Sequence, residues 1–116
     1  MMIRYIPADP AGNLTAIVLS PVAAQDRAKI AAEMMARCPE GFEQVGFADE
    51  TSLTGDLPTL CMMGGEFCGN ATRAFGLLTA KKLGAPAQVH IETSGCDHIV
   101  TVDTDLAAGT SRAEMP

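Results

Sequence analysis

The sequence predicts an α+β domain in which a curved, mixed or antiparallel sheet wraps around a central helix. Three observations lead there. About six short runs of apolar or alternating residues are separated by Gly, Pro, Asn and Asp, as strands are. One segment, Ala24 to Arg37, carries a single apolar stripe. Another, from about Gly69 or Asn70 to Leu83, is apolar on several sides, as a helix enclosed by a sheet would be.

Taken in order, Ile3 to Ile6 reads as a short strand. Pro7-Ala8-Asp9-Pro10-Ala11-Gly12-Asn13 reads as a loop, because two prolines and a glycine oppose regular structure. Leu14 to Leu19 is a second, largely buried strand that Ser20-Pro21 stops. The helix at Ala24 to Arg37 places Ile30, Ala31, Met34, Met35 and Cys38 on its apolar stripe, and Pro39 and Gly41 end it. Glu43 to Ala48 and Leu57 to Met63 are strands joined by a polar loop. The second helix follows, with Gly84 just past its end. Val89 to Thr93 and Ile99 to Val102 flank Ser94-Gly95-Cys96-Asp97 as a hairpin. Asp105 to Pro116 reads as a terminal strand or the start of a linker. Ala71, Ala74, Phe75, Leu77, Leu78, Ala80 and Leu83 of the second helix are expected to be buried on most sides.

Composition narrows function. A length of 116 residues suits one domain, and 47% apolar with 19% charged residues is globular. A net charge of −6 without a Lys/Arg run argues against nucleic acid. The longest apolar run, Leu14 to Leu19, is too short to span a bilayer. The first residues lack the pattern of a signal peptide, so a cytoplasmic location is expected. Cys38, Cys61, Cys68 and Cys96 show no CxxC spacing, and His90 and His98 fall in none of the zinc patterns, so no metal is expected. The thiols are expected to be free.

One of them stands in a distinctive place. A strand, Gly64-Gly65-Glu66-Phe67, then Cys68-Gly69-Asn70 and a helix put a thiol at a helix N-terminus. There the first amides lack intrahelical partners and the dipole supplies about half a positive charge. That setting favours a thiolate and can hold a carboxylate, with Gly69 allowing close approach. A bound carboxylate beside a reactive thiol suits proton abstraction at the adjacent carbon. Nucleophilic attack is the other option, but no His is placed in sequence to partner Cys68. Cys38 ends a helix, Cys61 lies in a strand and Cys96 lies in a turn, and packing accounts for the first two. Read alone, Asn13 is a turn residue and Gln44 a strand polar that faces solvent.

The string Gly64-Gly65-Glu66-Phe67-Cys68-Gly69-Asn70-Ala71-Thr72 resembles the first catalytic-cysteine motif of the diaminopimelate-epimerase-like, cofactor-independent amino-acid racemases. Pro10-Ala11-Gly12-Asn13 resembles that family's Gly-Asn loop, and Gly41-Phe42-Glu43-Gln44-Val45-Gly46-Phe47 its acidic-Gln strand. Ser94-Gly95-Cys96 and Glu114-Met115-Pro116 are most similar to the histidine racemases of opine metallophore (staphylopine-type) biosynthesis. The resemblance implies an isomerase with no cofactor and a small amino acid as substrate. It makes Cys68 an acid/base thiol, Gly69 and Asn70 binders of the α-carboxylate, Asn13 and Gln44 pocket residues, and Glu43 a contact for a basic side chain such as imidazole. Leu60-Cys61-Met62-Met63-Gly64-Gly65 is the region in which diaminopimelate epimerases carry an Asn-Ala-Asp-Gly stretch, which points away from diaminopimelate.

Inverting a stereocentre takes two bases, one on each face. The family draws its second cysteine from a homologous C-terminal half, and no second Cys-Gly motif occurs here. The chain is therefore expected to be the N-terminal lobe, 1–116, inactive alone. It is expected to present an apolar cleft face to a missing lobe, or to self-associate through it. The rival readings are a related isomerase, such as a diaminopimelate or hydroxyproline epimerase, and a non-catalytic carboxylate-binding or dimerising module. Pyridoxal phosphate chemistry on Lys81 or Lys82 is disfavoured, because both lie at the far end of the helix from the thiol.

Overall fold

A computed structural model describes residues 3–8, 14–48, 57–84 and 86–113. Seven strands form one sheet: β1 (Tyr5–Ala8), β2 (Thr15–Val18), β3 (Gln44–Phe47), β4 (Thr59–Met62), β5 (Gln88–Thr93), β6 (Val100–Asp105) and β7 (Thr110–Ala113). Their order in the sheet is their order in the chain. Among the described residues two helices lie between them, α1 (Arg27–Arg37), entered through a 3₁₀ turn at Ala24–Asp26, and α2 (Gly69–Lys82). The β2/β3 and β4/β5 pairs are parallel and each is bridged by a helix; the other four pairs are antiparallel. This follows from geometry, since a parallel pair needs a crossover long enough to return to the same end of the sheet.

Strand alternation puts the helices on opposite faces. Ala16 and Val18 of β2, with Val45 and Phe47 of β3, pack with Ala31 and Met34 of α1. Ile17 faces the other way and joins Leu60, Met62, Ile91, Val100 and Val102 around Ala71, Phe75 and Ala80 of α2. That second cluster also draws in Ile6 of β1 and Ala113 of β7, so the sheet curls about α2 as a half-barrel. Phe75, Leu60 and Ile91 are each 0% exposed.

The stripe of α2 that meets the sheet is Ala71, Thr72, Phe75, Gly76, Thr79 and Ala80, positions spaced to lie on one side of a helix. Small residues there let the helix axis come close to β6. The two buried threonines satisfy their hydroxyls on the preceding turn, Thr72 Oγ1 donating to the Cys68 carbonyl at 2.7 Å and Thr79 Oγ1 to that of Phe75 at 2.8 Å. Burial is thus narrower than the composition of the helix suggests. Leu77 and Leu78 are only half-buried and Leu83 is 45% exposed, because the strands cover a single flank. Gly84, at φ +86°, ends the helix as expected.

The first strand is displaced along the chain. It runs Tyr5–Ala8 rather than Ile3 to Ile6, and so takes in Pro7. Proline is tolerated there because β1 lies at the sheet edge and pairs with β2 alone. The β5/β6 hairpin forms with Val89 opposite Val102. The polar C-terminal stretch supplies β7, the seventh strand among the described residues where about six were expected.

Candidate active site

The head of α2 faces the adjoining ends of β2 and β3. Thr15 and Gln44 are register partners across that parallel pair, on the same face as Ile17 and hence on the α2 side. Gln44 Nε2 donates to Thr15 Oγ1 at 2.8 Å, which fixes the amide with its oxygen outward. That oxygen meets Cys68, whose Sγ lies 3.4 Å from Gln44 Oε1 in position to donate an S–H hydrogen bond. Gln44 is therefore half-buried and engaged rather than facing solvent, a correction to its reading as an ordinary strand polar. The partner that holds it, Thr15, is fully buried and was not singled out from the sequence. Its signal was a hydroxyl at the start of an otherwise apolar strand.

Cys68 occupies the N-cap position of α2, with extended backbone at φ −129° and ψ 110°. Its side chain makes no capping bond, so the sulfur is turned toward Gln44 instead of back onto the helix amides. The first intrahelical bond runs from the Thr72 N–H to the Cys68 carbonyl at 2.9 Å. The amides of Gly69, Asn70 and Ala71 precede it and belong to the unpaired first turn. Arg73 Nη2 donates to Asn70 Oδ1, bringing a guanidinium beside that turn and adding to its positive end. The thiol is half-buried: it packs against the α2-side core yet keeps part of its surface open. A sulfur, three free amides and a cationic neighbour at one end of a helix can bind a carboxylate and exchange a proton with the carbon next to it.

The segment before Cys68 is held from two sides. Ser94 Oγ donates to the Glu66 carbonyl at 2.6 Å and accepts from the Met62 N–H at 2.8 Å, stitching the β4–α2 connection to the end of β5. Gly95, at φ +74°, presses its backbone against Glu66 and Phe67; a Cβ there would fall 2.7 Å from the Glu66 carbonyl carbon. Ser94 and Gly95 thus position the thiol, a role visible in sequence only as a turn. Glu66 Oε1 accepts from the Gly64 N–H at 3.0 Å and steadies the same connection.

Of the residues nominated from sequence, the structure brings Cys68, Gln44, Gly69 and Asn70 together. Glu43 is exposed, and its N–H donates to the Leu14 carbonyl at 2.9 Å. Asn13 and Glu114-Met115-Pro116 lie outside the described residues. Cys38 and Cys61 are half-buried, Cys38 against the α1 cluster and Cys61 opposite Phe47 in the β3/β4 pair.

The family described as histidine racemase CntK N-terminal domain matches residues 2–116. A histidine racemase of Staphylococcus aureus strain Mu50 is 37% identical over 101 residues, covering 85% of this chain and 37% of that protein. A histidine racemase of Fusobacterium nucleatum is 34% identical over 106 residues, covering 88% of this chain and 37% of that protein. The chain spans rather more than a third of the length of these curated relatives.

Proposed function

The chain belongs to the family of histidine racemase N-terminal domains, and from that premise we propose that it supplies one of the two acid/base thiols of a cofactor-independent amino-acid racemase. Cys68 is that thiol. The substrate is histidine or a close relative, a reading supported by the names of the similar proteins. The half-barrel about α2 is read as a diaminopimelate-epimerase-like lobe.

The observation that carries the reading is Cys68 at the head of α2, its sulfur 3.4 Å from Gln44 Oε1 and beside the unpaired first-turn amides. In this reading the Gly69 and Asn70 amides hold the α-carboxylate. The Cys68 thiolate takes the α-proton and becomes a thiol, while a second thiol on the opposite face of the carbanion gives up its own proton. Gln44 lines the pocket and aims the Cys68 sulfur, Asn13 is read as a second pocket residue, and exposed Glu43 meets the imidazole. The second thiol belongs to the complementary lobe, so the chain by itself binds substrate without inverting it. Four free thiols suit a reducing compartment, and we place the protein in the cytoplasm.

The test is exchange of the histidine α-hydrogen in deuterium oxide, followed by NMR. The isolated chain gives no exchange above background. Adding the separately produced C-terminal lobe of a histidine racemase restores it, and Cys68→Ser in this chain removes it again. Turnover by the isolated chain at a rate matching the combined lobes would overturn the half-site assignment. Equal, slow alkylation of all four cysteines, unprotected by histidine, would favour a binding module without catalysis.

A further inference from the structure

Beyond the thiol at α2, the β5–β6 turn gathers three different metal-ligating groups from three consecutive residues: Cys96, Asp97 and His98. The Cys96 sulfur lies 3.5 Å from His98 Nδ1, and the same nitrogen lies 3.2 Å from Asp97 Oδ1. All three donor atoms fall within 4.8 Å of one another. These separations can be compared with the edges of a zinc tetrahedron. Bonds of about 2.3 Å to sulfur and about 2.0–2.1 Å to nitrogen and oxygen, at tetrahedral angles, give an S···N edge of about 3.6 Å and an N···O edge of about 3.3 Å. Both measured distances lie close to those edges; the sulfur is also 3.7 Å from His98 Nε2 and so lies over the ring, and binding takes a turn of the His98 imidazole together with a rotation of the fully exposed Asp97 side chain.

The turn is also anchored. Ser94, one residue before Gly95, bridges Glu66 and Met62, and Gly95 is seated on the backbone of residues 66 and 67. Cys96 packs against the α2-side core, while the His98 side chain is partly exposed and that of Asp97 fully so. The ligands thus start close to a binding geometry and remain reachable by an ion. A thiolate and a carboxylate would offset the charge of a divalent cation, and a mixed S/N/O donor set is what a borderline-soft ion takes. Sequence spacing hides such a site, because zinc motif patterns look for ligands with two to five residues between them, and here one residue or none intervenes.

We propose that Cys96, Asp97 and His98 form a surface site for a divalent transition-metal ion, with zinc as the matching ion and a fourth position left to water. The proposal is independent of the racemase reading. Its test uses the reduced, tag-free chain and the metal alone. Zinc is titrated against a chromophoric chelator, and cobalt is added separately to look for thiolate-to-cobalt charge-transfer absorption. The expected result is one equivalent bound with that absorption present. Cys96→Ser abolishes the absorption, and both Cys96→Ser and His98→Gln weaken zinc binding at least tenfold. Cys68→Ser leaves stoichiometry and spectrum unchanged. Each variant keeps its far-ultraviolet circular dichroism, since the ligand heads lie at the surface. Stoichiometric binding that survives Cys96→Ser, binding lost with Cys68→Ser, or no thiolate absorption in the parent chain would overturn the site and leave the trio as a hydrogen-bonded turn.

Discussion

The Cys68 sulfur and the Gln44 side-chain carbonyl, 24 residues apart in the chain, face each other at 3.4 Å. Gln44 can hold that position because Thr15 holds its amide nitrogen. Replacing the amide by a carboxylate puts a negative charge against the sulfur and disfavours the thiolate. Gln44→Glu should slow iodoacetamide alkylation of Cys68 at neutral pH by roughly tenfold, and Gln44→Met should change it far less. Site-resolved mass spectrometry reads both, with Cys38 and Cys61 as internal references.

Gly76 and Val102 make a second test, because two general rules oppose each other there. In an exposed helix, Gly→Ala stabilises by about 1 kcal/mol. Here a Cβ on Gly76 would lie 2.5 Å from Val102 Cγ1. Overpacking wins, and Gly76→Ala should destabilise the fold by about 1–3 kcal/mol in urea unfolding. Adding Val102→Ala should make the Gly76 substitution markedly less harmful than it is alone.

Gly95 and Gly109 have nearly the same backbone angle, φ +74° and +70°, but different surroundings. A Cβ on Gly109 meets nothing within 4 Å, whereas one on Gly95 runs into the backbone of residues 66 and 67. Gly109→Ala should therefore lose only the left-handed backbone penalty of about 1–2 kcal/mol. Gly95→Ala should lose clearly more and should also alter Cys68 alkylation, since it pushes on the segment that carries the thiol. Thermal unfolding and the alkylation assay together separate the two.

Tyr5 is the single tyrosine of a chain without tryptophan, so its ionisation can be followed by absorbance. It donates to Glu40 Oε2 at 3.0 Å. Its pKa is pushed up to about 12, first by that hydrogen bond, then by burial and by nearby Cys38. A raised pKa means the folded state holds the proton more tightly than the unfolded chain, whose phenol titrates near 10. The contribution is fully present below about pH 10 and is lost as pH rises toward 12. Glu40→Ala should bring the absorbance midpoint down toward 10.

Much of this arrangement was legible from local signals. Cys68 at a helix start follows from a strand, a glycine pair and a long helical stretch in succession, all within a few residues. The β5/β6 hairpin follows from alternation on both sides of Ser94-Gly95, and the end of α2 from Gly84. What was not legible depended on distant partners. Gln44 looks like a surface polar until β2 lies beside it and offers Thr15. Pro7 argues against a strand unless that strand is known to be an edge. The apolar side chains on several sides of α2 do not reveal which flank the sheet will cover. The function of the small stripe, Ala71, Gly76 and Ala80, appears only once β6 is seen close against it.

The agreement between strand order in the sheet and strand order in the chain has a bearing on how the domain is made. Each new strand joins the rim left by the one before it. A polypeptide emerging from the ribosome amino end first can extend the same growing edge throughout. No late segment has to be inserted between two strands that have already met.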